Sequence, residues 1–195
     1  MPARLTGRLY LSNFKLAYSQ IYMDLLKAIE KEHSKTQCEK IVRYVGNDSK
    51  RFGELMQLFL KGEYRTTQRA AWPISICVQN HPELIAPYFK QIVPLLQKPG
   101  LHNAVVRNIV RLLQYVHIPK RYHGQIMSCC FDFVMDNETA PAIKAFSLTI
   151  LENLSATYPE IKAELKLVIE ERWPHETAAF WSRAKKILKK YPPTP

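Results

Sequence analysis

Apolar positions between residues 103 and 116 recur at the spacing of an α-helix. One side of that helix is apolar, formed by Val105, Ile109, Leu112 and Val116. The opposite side is polar, formed by Arg107, Arg111 and Gln114. Further aliphatic residues widen the apolar side beyond the stripe of a surface helix. The pattern therefore predicts a helix packed against neighbours in its own repeat and in adjacent ones.

The same spacing along the chain predicts ten helices and no strand. They are expected near residues 12–32, 35–45, 48–61, 65–80, 83–97, 103–116, 120–135, 141–157, 160–173 and 176–190. The 6 glycines and 13 prolines fit helices separated by proline-marked turns. Pro73 and Pro94 fall inside predicted helices, where a proline either kinks the helix or shows that a boundary is misplaced.

Two markers repeat at nearly the same interval. Four basic residues, each followed by a small one, are spaced 38, 37 and 39 residues apart: Arg69, Arg107, Lys144 and Arg183. Pro82, Pro119 and Pro159, spaced 37 and 40 apart, follow the first three. Proline is favoured at the first position of a helix because its missing N–H has no acceptor there. The sequence thus predicts a repeated unit of helix, turn, proline and helix.

These repeats resemble the HEAT family. The period near 38, the paired helices and the Val106-Arg107 and Ile143-Lys144 pairs resemble the Val-Arg step of the second helix of HEAT repeats, over residues 35 to 191. The resemblance implies an all-α fold, a right-handed α-α superhelix built as a short HEAT-like solenoid of paired antiparallel helices. We expect residues 23–195 to form a single HEAT-like helical repeat domain.

The resemblance also implies a ladder of ion pairs between repeats. Acidic residues near the expected places are Glu63, Glu138 and Glu176, standing before Arg69, Lys144 and Arg183. Leu101 occupies the corresponding place before Arg107, so the implied ladder is incomplete.

Residues 1–22 contain three basic and no acidic residues. We interpret them as an N-terminal extension or capping segment. The sequence leaves three alternatives open: Met23 is the true start, the segment adds a capping helix, or it is a targeting peptide.

The net charge of +11 is unevenly distributed. Residues 183–190 hold five basic residues and no acid, whereas residues 23–182 hold 20 basic and 17 acidic residues. We interpret this as an argument against a basic groove along the body of the protein. Weak, non-specific nucleic-acid binding is expected through the basic C-terminus alone, by the C-terminal lysines Lys185, Lys186, Lys189 and Lys190.

The sequence holds no recognisable catalytic constellation. The four cysteines form no CxxC pair and no zinc spacing, so they are predicted to be buried thiols, with no metal site. Nucleotide-binding and nucleophile-elbow motifs are also missing from the sequence, so no catalytic residue and no cofactor is predicted, and a lyase activity is not expected. Trp72, Trp173 and Trp181 are interpreted as core or capping residues. No apolar run is long enough for a membrane span, and we expect a cytoplasmic location.

One enzyme family is a competing interpretation. HEAT-like alkylpurine DNA glycosylases are similar in size, architecture and basic charge, and the resemblance implies a carboxylate in an aromatic-lined concave cleft. On the helices expected to be inner, 65–80, 103–116, 141–157 and 176–190, the acids are Glu152 and Glu176. The catalytic pattern of that family does not carry over to a residue of this chain.

We therefore predict a non-enzymatic module that binds another protein, with nucleic-acid binding as the alternative. The oligomeric state is left open. The predicted partner-binding residues are Arg107, Arg111, Gln114, Arg69 and Lys144. Arg107 and Arg111 are preferred because, unlike Arg69 and Lys144, they have no acid nearby in the sequence.

Overall fold

A computed structural model describes residues 22–191 and confirms the all-α prediction, since it contains ten α-helices and no strand in that range. The helices are α1 (Leu25–Lys31), α2 (Lys35–Val45), α3 (Ser49–Lys61), α4 (Tyr64–Asn80), α5 (Phe89–Ile92), α6 (Asn103–Leu113), α7 (His123–Met135), α8 (Pro141–Leu154), α9 (Ile161–Arg172) and α10 (Ala178–Lys190). Four 3₁₀ segments join them: Pro82–Tyr88, Val93–Gln97, Lys120–Tyr122 and Trp173–His175.

Side-chain caps fix where the first three helices begin. The carboxylate of Asp24 accepts a hydrogen bond from the Lys27 N–H at 3.1 Å, so α1 begins at Leu25. The prediction of a continuous helix over 12–32 is therefore wrong for the residues that the structure describes, because the backbone of Asp24 is extended. Residues 1–21, which make up nearly all of the predicted N-terminal extension, lie outside the described residues. Ser34 and Asp48 cap α2 and α3 in the same way.

Prolines decide the course of the chain between residues 82 and 97. The single helix predicted over 83–97 is wrong: α5 is one turn long, and 3₁₀ segments containing Pro87 and Pro94 flank it. A proline cannot donate the hydrogen bond of an α-helix interior, which favours these shorter elements. Pro73, by contrast, is accommodated within α4.

The helices pack in two layers, as the predicted helix pairs require. The inner layer consists of α2, α4, α6, α8 and α10, each in contact with the next. The outer layer consists of α3, residues 82–97, α7 and α9, and α1 packs against α4 at one end of the molecule. The layers enclose a continuous core in which Phe52, Phe89 and Phe180 are fully buried. Burial of each such side chain stabilises the fold by about 1.5–3 kcal/mol.

All four basic repeat markers lie on inner-layer helices, at equivalent positions of α4, α6, α8 and α10. The repeat period read from the sequence is thus the spacing between successive inner helices. Within residues 22–191, no helix combines the length and the apolar character that a bilayer crossing requires.

Candidate functional site

A cleft of about 720 Å³ lies on the inner layer, and we call it the inner groove. Its floor is one stripe of α4, formed by Trp72, Ile76 and Asn80, which follow one another at intervals of four residues. Helix α2 forms one wall and α6 the other, because both pack against α4 from opposite sides. Three helices that are distant in the sequence therefore build one groove.

The α2 wall carries both apolar and charged side chains. Cys38 and Val42 face the groove near its floor, and a second stripe places Lys35, Glu39 and Arg43 along the wall. Lys35 Nζ lies 3.8 Å from Glu39 Oε1, an exposed pair one helical turn apart. Burial raises the pKa of the Cys38 thiol to about 11, although the positive charge of Arg111 acts in the opposite direction.

The α6 wall consists of Arg107, Asn108 and Arg111. Asn108 is buried and has a structural role, because its Nδ2 donates to the Ala104 carbonyl at 2.8 Å and its Oδ1 accepts from Ser75 Oγ at 3.2 Å. This bond joins α4 to α6. Arg107 and Arg111 are therefore the residues of this wall whose side chains are available to bind a ligand.

Aromatic rings line the groove as well. The His33 ring meets Trp72 edge to face, with centroids 5.7 Å apart, and Phe146 of α8 reaches the groove from beyond α6. Trp72 is half-buried, so the interpretation of this residue as core is incomplete. Trp173 and Trp181 are half-buried as well, but they stack on each other and pack against the hydrophobic core at the other end of the chain, so they fit that interpretation better.

Three arginines line the groove, and we call Arg43, Arg107 and Arg111 the groove arginines. None of their guanidinium groups has an ion-pair or hydrogen-bond partner among residues 22–191. Arg43 and Arg107 are exposed and Arg111 is half-buried. A guanidinium offers five N–H donors in a planar fork that fits a carboxylate or phosphate. Glu39 is the one carboxylate among the residues lining the groove, so the lining is positively charged.

The structure places the predicted partner-binding residues in different surroundings. Arg107 and Arg111 line the inner groove, but Gln114 does not. Gln114 follows α6; its side-chain Nε2 donates to the Arg111 main-chain carbonyl at 3.0 Å, and its own main-chain carbonyl accepts from Asn153 Nδ2 at 3.2 Å. Gln114 thus helps to join α6 to α8.

Arg69 is also engaged within the molecule. Its Nη1 donates to the carbonyls of Ile29 and Glu30, at 3.3 and 2.9 Å, near the C-terminal end of α1. These carbonyls lack partners within the helix, so the arginine satisfies them and holds α1 against α4. The implied pair with Glu63 is wrong, and Arg69 is not a free contact residue.

Lys144 is wrong as a contact residue because it is buried, with 3% of its surface exposed. Its Nζ donates to Glu176 Oε1 at 2.6 Å, and the same oxygen accepts from Arg172 Nη2 at 2.9 Å. The implied partner Glu138 is exposed and takes no part. One rung of an ion-pair ladder is thus present, and it joins the basic residue of α8 to the acid before α10.

Folding sorts the charges between the layers, which corrects the argument against a basic body. Within residues 23–182, the inner-layer helices hold 8 basic and 2 acidic residues, whereas the rest of that range holds 12 basic and 15 acidic ones. The C-terminal part of α10 adds five more basic residues to the inner layer. Most acids lie on outer helices and in turns. The near-neutral total over residues 23–182 concealed this separation.

Sequence reasoning missed the α2 side of the groove, including Glu39. Counting back one period from Arg69 reaches Lys31 at the end of α1, so the repeat markers do not assign α2 to the inner layer. The alternation of Lys35, Glu39 and Arg43 at intervals of four residues was the available signal. Among residues 22–191, no group of three or more His, Cys, Asp or Glu side chains converges in a way that could hold a metal ion.

Comparison with protein families gives one match: a model described as a HEAT repeat domain matches residues 25–191. The searches of curated proteins and of solved structures return no match to the chain. The matched region covers every helix described above.

Proposed function

The chain belongs to the HEAT repeat domain family, and from that premise we propose that it is a non-enzymatic interaction module whose inner layer binds an acidic protein partner. The observation that carries the proposal is the set of three groove arginines without intramolecular partners. They come from two helices on opposite sides of one groove. A partner that enters the groove meets positive charge on both sides.

The energetics support binding at these groups more than at the other predicted residues. A hydrogen bond to a charged group contributes about 1.5–3 kcal/mol when it is formed. Arg69 and Lys144 already make such bonds inside the protein, so a partner would have to break them. The groove arginines make no such bond inside the protein, so a partner displaces water from them and breaks no internal hydrogen bond.

Nucleic-acid binding is a second candidate, and the excess of basic residues on the inner layer favours it. Against it stands Glu39, which would repel a phosphate backbone inside the groove. Glu39 is also the carboxylate that a glycosylase-like activity would have to use. Its side chain is 51% exposed and lies beside Lys35, in contrast to the buried setting that tunes a carboxyl group for acid–base chemistry.

The test is quantitative capture from a native lysate by three forms of the immobilised protein. The groove variant combines Arg107→Glu with Arg111→Glu, and the matched control combines Lys90→Glu with Lys120→Glu, which makes the same change in net charge. Lys90 and Lys120 are exposed residues outside the inner layer. Mass spectrometry should find proteins retained by the wild type and by the control but lost from the groove variant.

Acidic proteins should predominate in that set, and nuclease treatment should leave it unchanged. Equal losses from both variants would mean that general charge, and not the groove, holds the captured proteins. Loss on nuclease treatment would favour the nucleic-acid candidate.

Four unpaired cysteines support a cytoplasmic location for this interaction. All of them are buried free thiols, including Cys38 at the groove. Thiols stay reduced in the cytoplasm, whereas oxidising compartments favour disulfides.

A further inference from the structure

We infer that the inner groove binds an extended peptide segment with the pattern acidic, apolar, acidic. The inference rests on the proposed function, that the inner layer is the binding surface, and it adds the chemistry and conformation of the bound segment. Three properties of the groove carry it: its dimensions, the distribution of its charges and its apolar side chains.

The dimensions fit a single extended chain. The floor runs from Trp72 to Asn80, which corresponds to about 12 Å along a helix axis and to about four residues of an extended peptide. Neighbouring packed helices lie about 8–10 Å apart, so the axes of α2 and α6 are roughly 16–20 Å apart across α4. Subtracting a helix diameter of about 10–12 Å leaves a gap of roughly 4–10 Å. This gap admits a single extended chain, since neighbouring extended chains lie about 4.7–4.9 Å apart in a sheet.

The charges specify the spacing of the acids. Arg107 and Arg111 are four residues apart on α6, a rise of about 6 Å. Alternate side chains of an extended peptide point the same way and are about 6.6 Å apart. Acidic residues at positions i and i+2 of the peptide therefore match the two arginines. Arg43 on the opposite wall adds positive charge across the groove.

Apolar side chains of the α2 wall and of the floor specify the residue between the two acids. In an extended peptide, the side chain of residue i+1 points to the side opposite those of residues i and i+2. In the groove this is the side of Cys38 and Val42 of α2 and the ring of Trp72. These side chains form an apolar surface beneath the charged rim. An aliphatic or aromatic side chain placed there removes apolar surface of both partners from water, as anchor residues do in other interfaces.

Glu39 distinguishes a peptide from a single-stranded nucleic acid. A peptide backbone has N–H groups that can donate to the carboxylate of Glu39, whereas a phosphodiester backbone has none. The amide of Asn108, which could otherwise contact a base edge, is already used by Ser75 and Ala104. The groove thus suits an acidic peptide better than a chain of phosphates.

The experiment is a titration of the ¹⁵N-labelled full-length protein with the blocked peptide Gly-Asp-Leu-Asp-Gly, followed by NMR. The indole N–H of Trp72 is the reporter, assigned with Trp72→Phe. The indoles of Trp173 and Trp181 are internal controls, since they pack against each other outside the groove. We expect Asp-Leu-Asp to shift the Trp72 signal in a saturable way and to leave the other two unchanged.

Variants and control peptides test each part of the inference. Arg107→Gln and Arg111→Gln should each weaken binding about tenfold or more, because each removes a hydrogen bond between charged groups. Arg121→Gln, an exposed arginine in the 3₁₀ segment before α7, should not. The peptide Gly-Asp-Ser-Asp-Gly should bind more weakly than the leucine peptide, and Gly-Lys-Leu-Lys-Gly should not shift Trp72.

Several results would overturn the inference. One is a Trp72 indole signal that does not shift at millimolar peptide, and another is equal affinity for the leucine and serine peptides. A third is a loss of affinity in Arg121→Gln as large as in Arg107→Gln or Arg111→Gln. Tighter binding of oligothymidylate at Trp72 would assign the groove to nucleic acid instead. If the groove variant loses captured proteins while no peptide binds, the proposed function stands and the partner presents a folded surface.

Discussion

The buried contact of Glu176 offers the sharpest test of how the repeats are joined. Its Oε1 accepts from Lys144 Nζ at 2.6 Å and from Arg172 Nε and Nη2 at 3.2 and 2.9 Å. The side chains of the three residues are 3–10% exposed. Glu176→Gln leaves two buried cations without their counter-charge while it preserves the shape of the side chain.

Removing one partner of a buried ion pair costs about 3–5 kcal/mol. Glutamine keeps a carbonyl oxygen as acceptor, so we expect a loss near the lower limit, about 3 kcal/mol. At about 2–4 °C per kcal/mol for a protein of this size, the melting temperature should fall by about 6–12 °C. Urea unfolding followed by circular dichroism gives the free energy, and a thermal scan gives the melting temperature.

The matched control is Glu138→Gln, which changes the acid that the sequence pattern assigned to Lys144. Glu138 is exposed, and such surface changes stay within about 0.5 kcal/mol. Equal effects of the two substitutions, or a larger effect of Glu138→Gln, would refute the argument that Lys144 depends on Glu176. Retained helical content in both variants would show that the comparison concerns one fold.

Three further predictions concern the N-terminus, nucleic acids and the thiols. Deletion of residues 1–22 should shift the melting temperature by no more than a few degrees, and a large loss would show that they form a stabilising cap. Duplex DNA should bind weakly in a fluorescence anisotropy assay; neutralising the C-terminal lysines should reduce the salt dependence, whereas Arg107→Glu with Arg111→Glu should leave it nearly unchanged. Cys38, with its pKa raised from 9.0 to about 11, should be alkylated about 100-fold more slowly at pH 8 than in the unfolded chain, and peptide mass spectrometry measures this ratio. Because the unfolded chain releases that thiol proton first, stability should decrease as the pH rises from 9.0 toward about 11.

Local pattern was sufficient for most of the helices. The predicted segment 35–45 agrees with α2 at both ends, because Ser34 caps one end and Gly46, at a φ of 51°, closes the other. The predicted helix boundaries were wrong where two local conformational preferences competed. Asp24 ended the extended segment before α1, and Pro87 and Pro94 favoured 3₁₀ geometry over one long helix.

The same reasoning from local sequence predicted only part of the candidate site. Arg107 and Arg111 could be selected because no acid lies near them in the sequence, and they line the groove. Lys144 was selected by the same repeat position, yet its partner Glu176 lies 32 residues further on. Equivalent positions in a repeat share a helix face, but the neighbour each one meets depends on how the next repeat packs.

The sequence by itself determined most of the helices, their period of about 38 residues and the basic positions that recur on one face, since these depend on side chains a few residues apart. Only the tertiary structure decided that the inner layer collects the basic residues and that α2 stands opposite α6 across Trp72. It also decided which cations stay free to bind a partner. These properties arise from contacts between helices that lie 30 or more residues apart along the chain, where packing and burial, and not local spacing, select the neighbours.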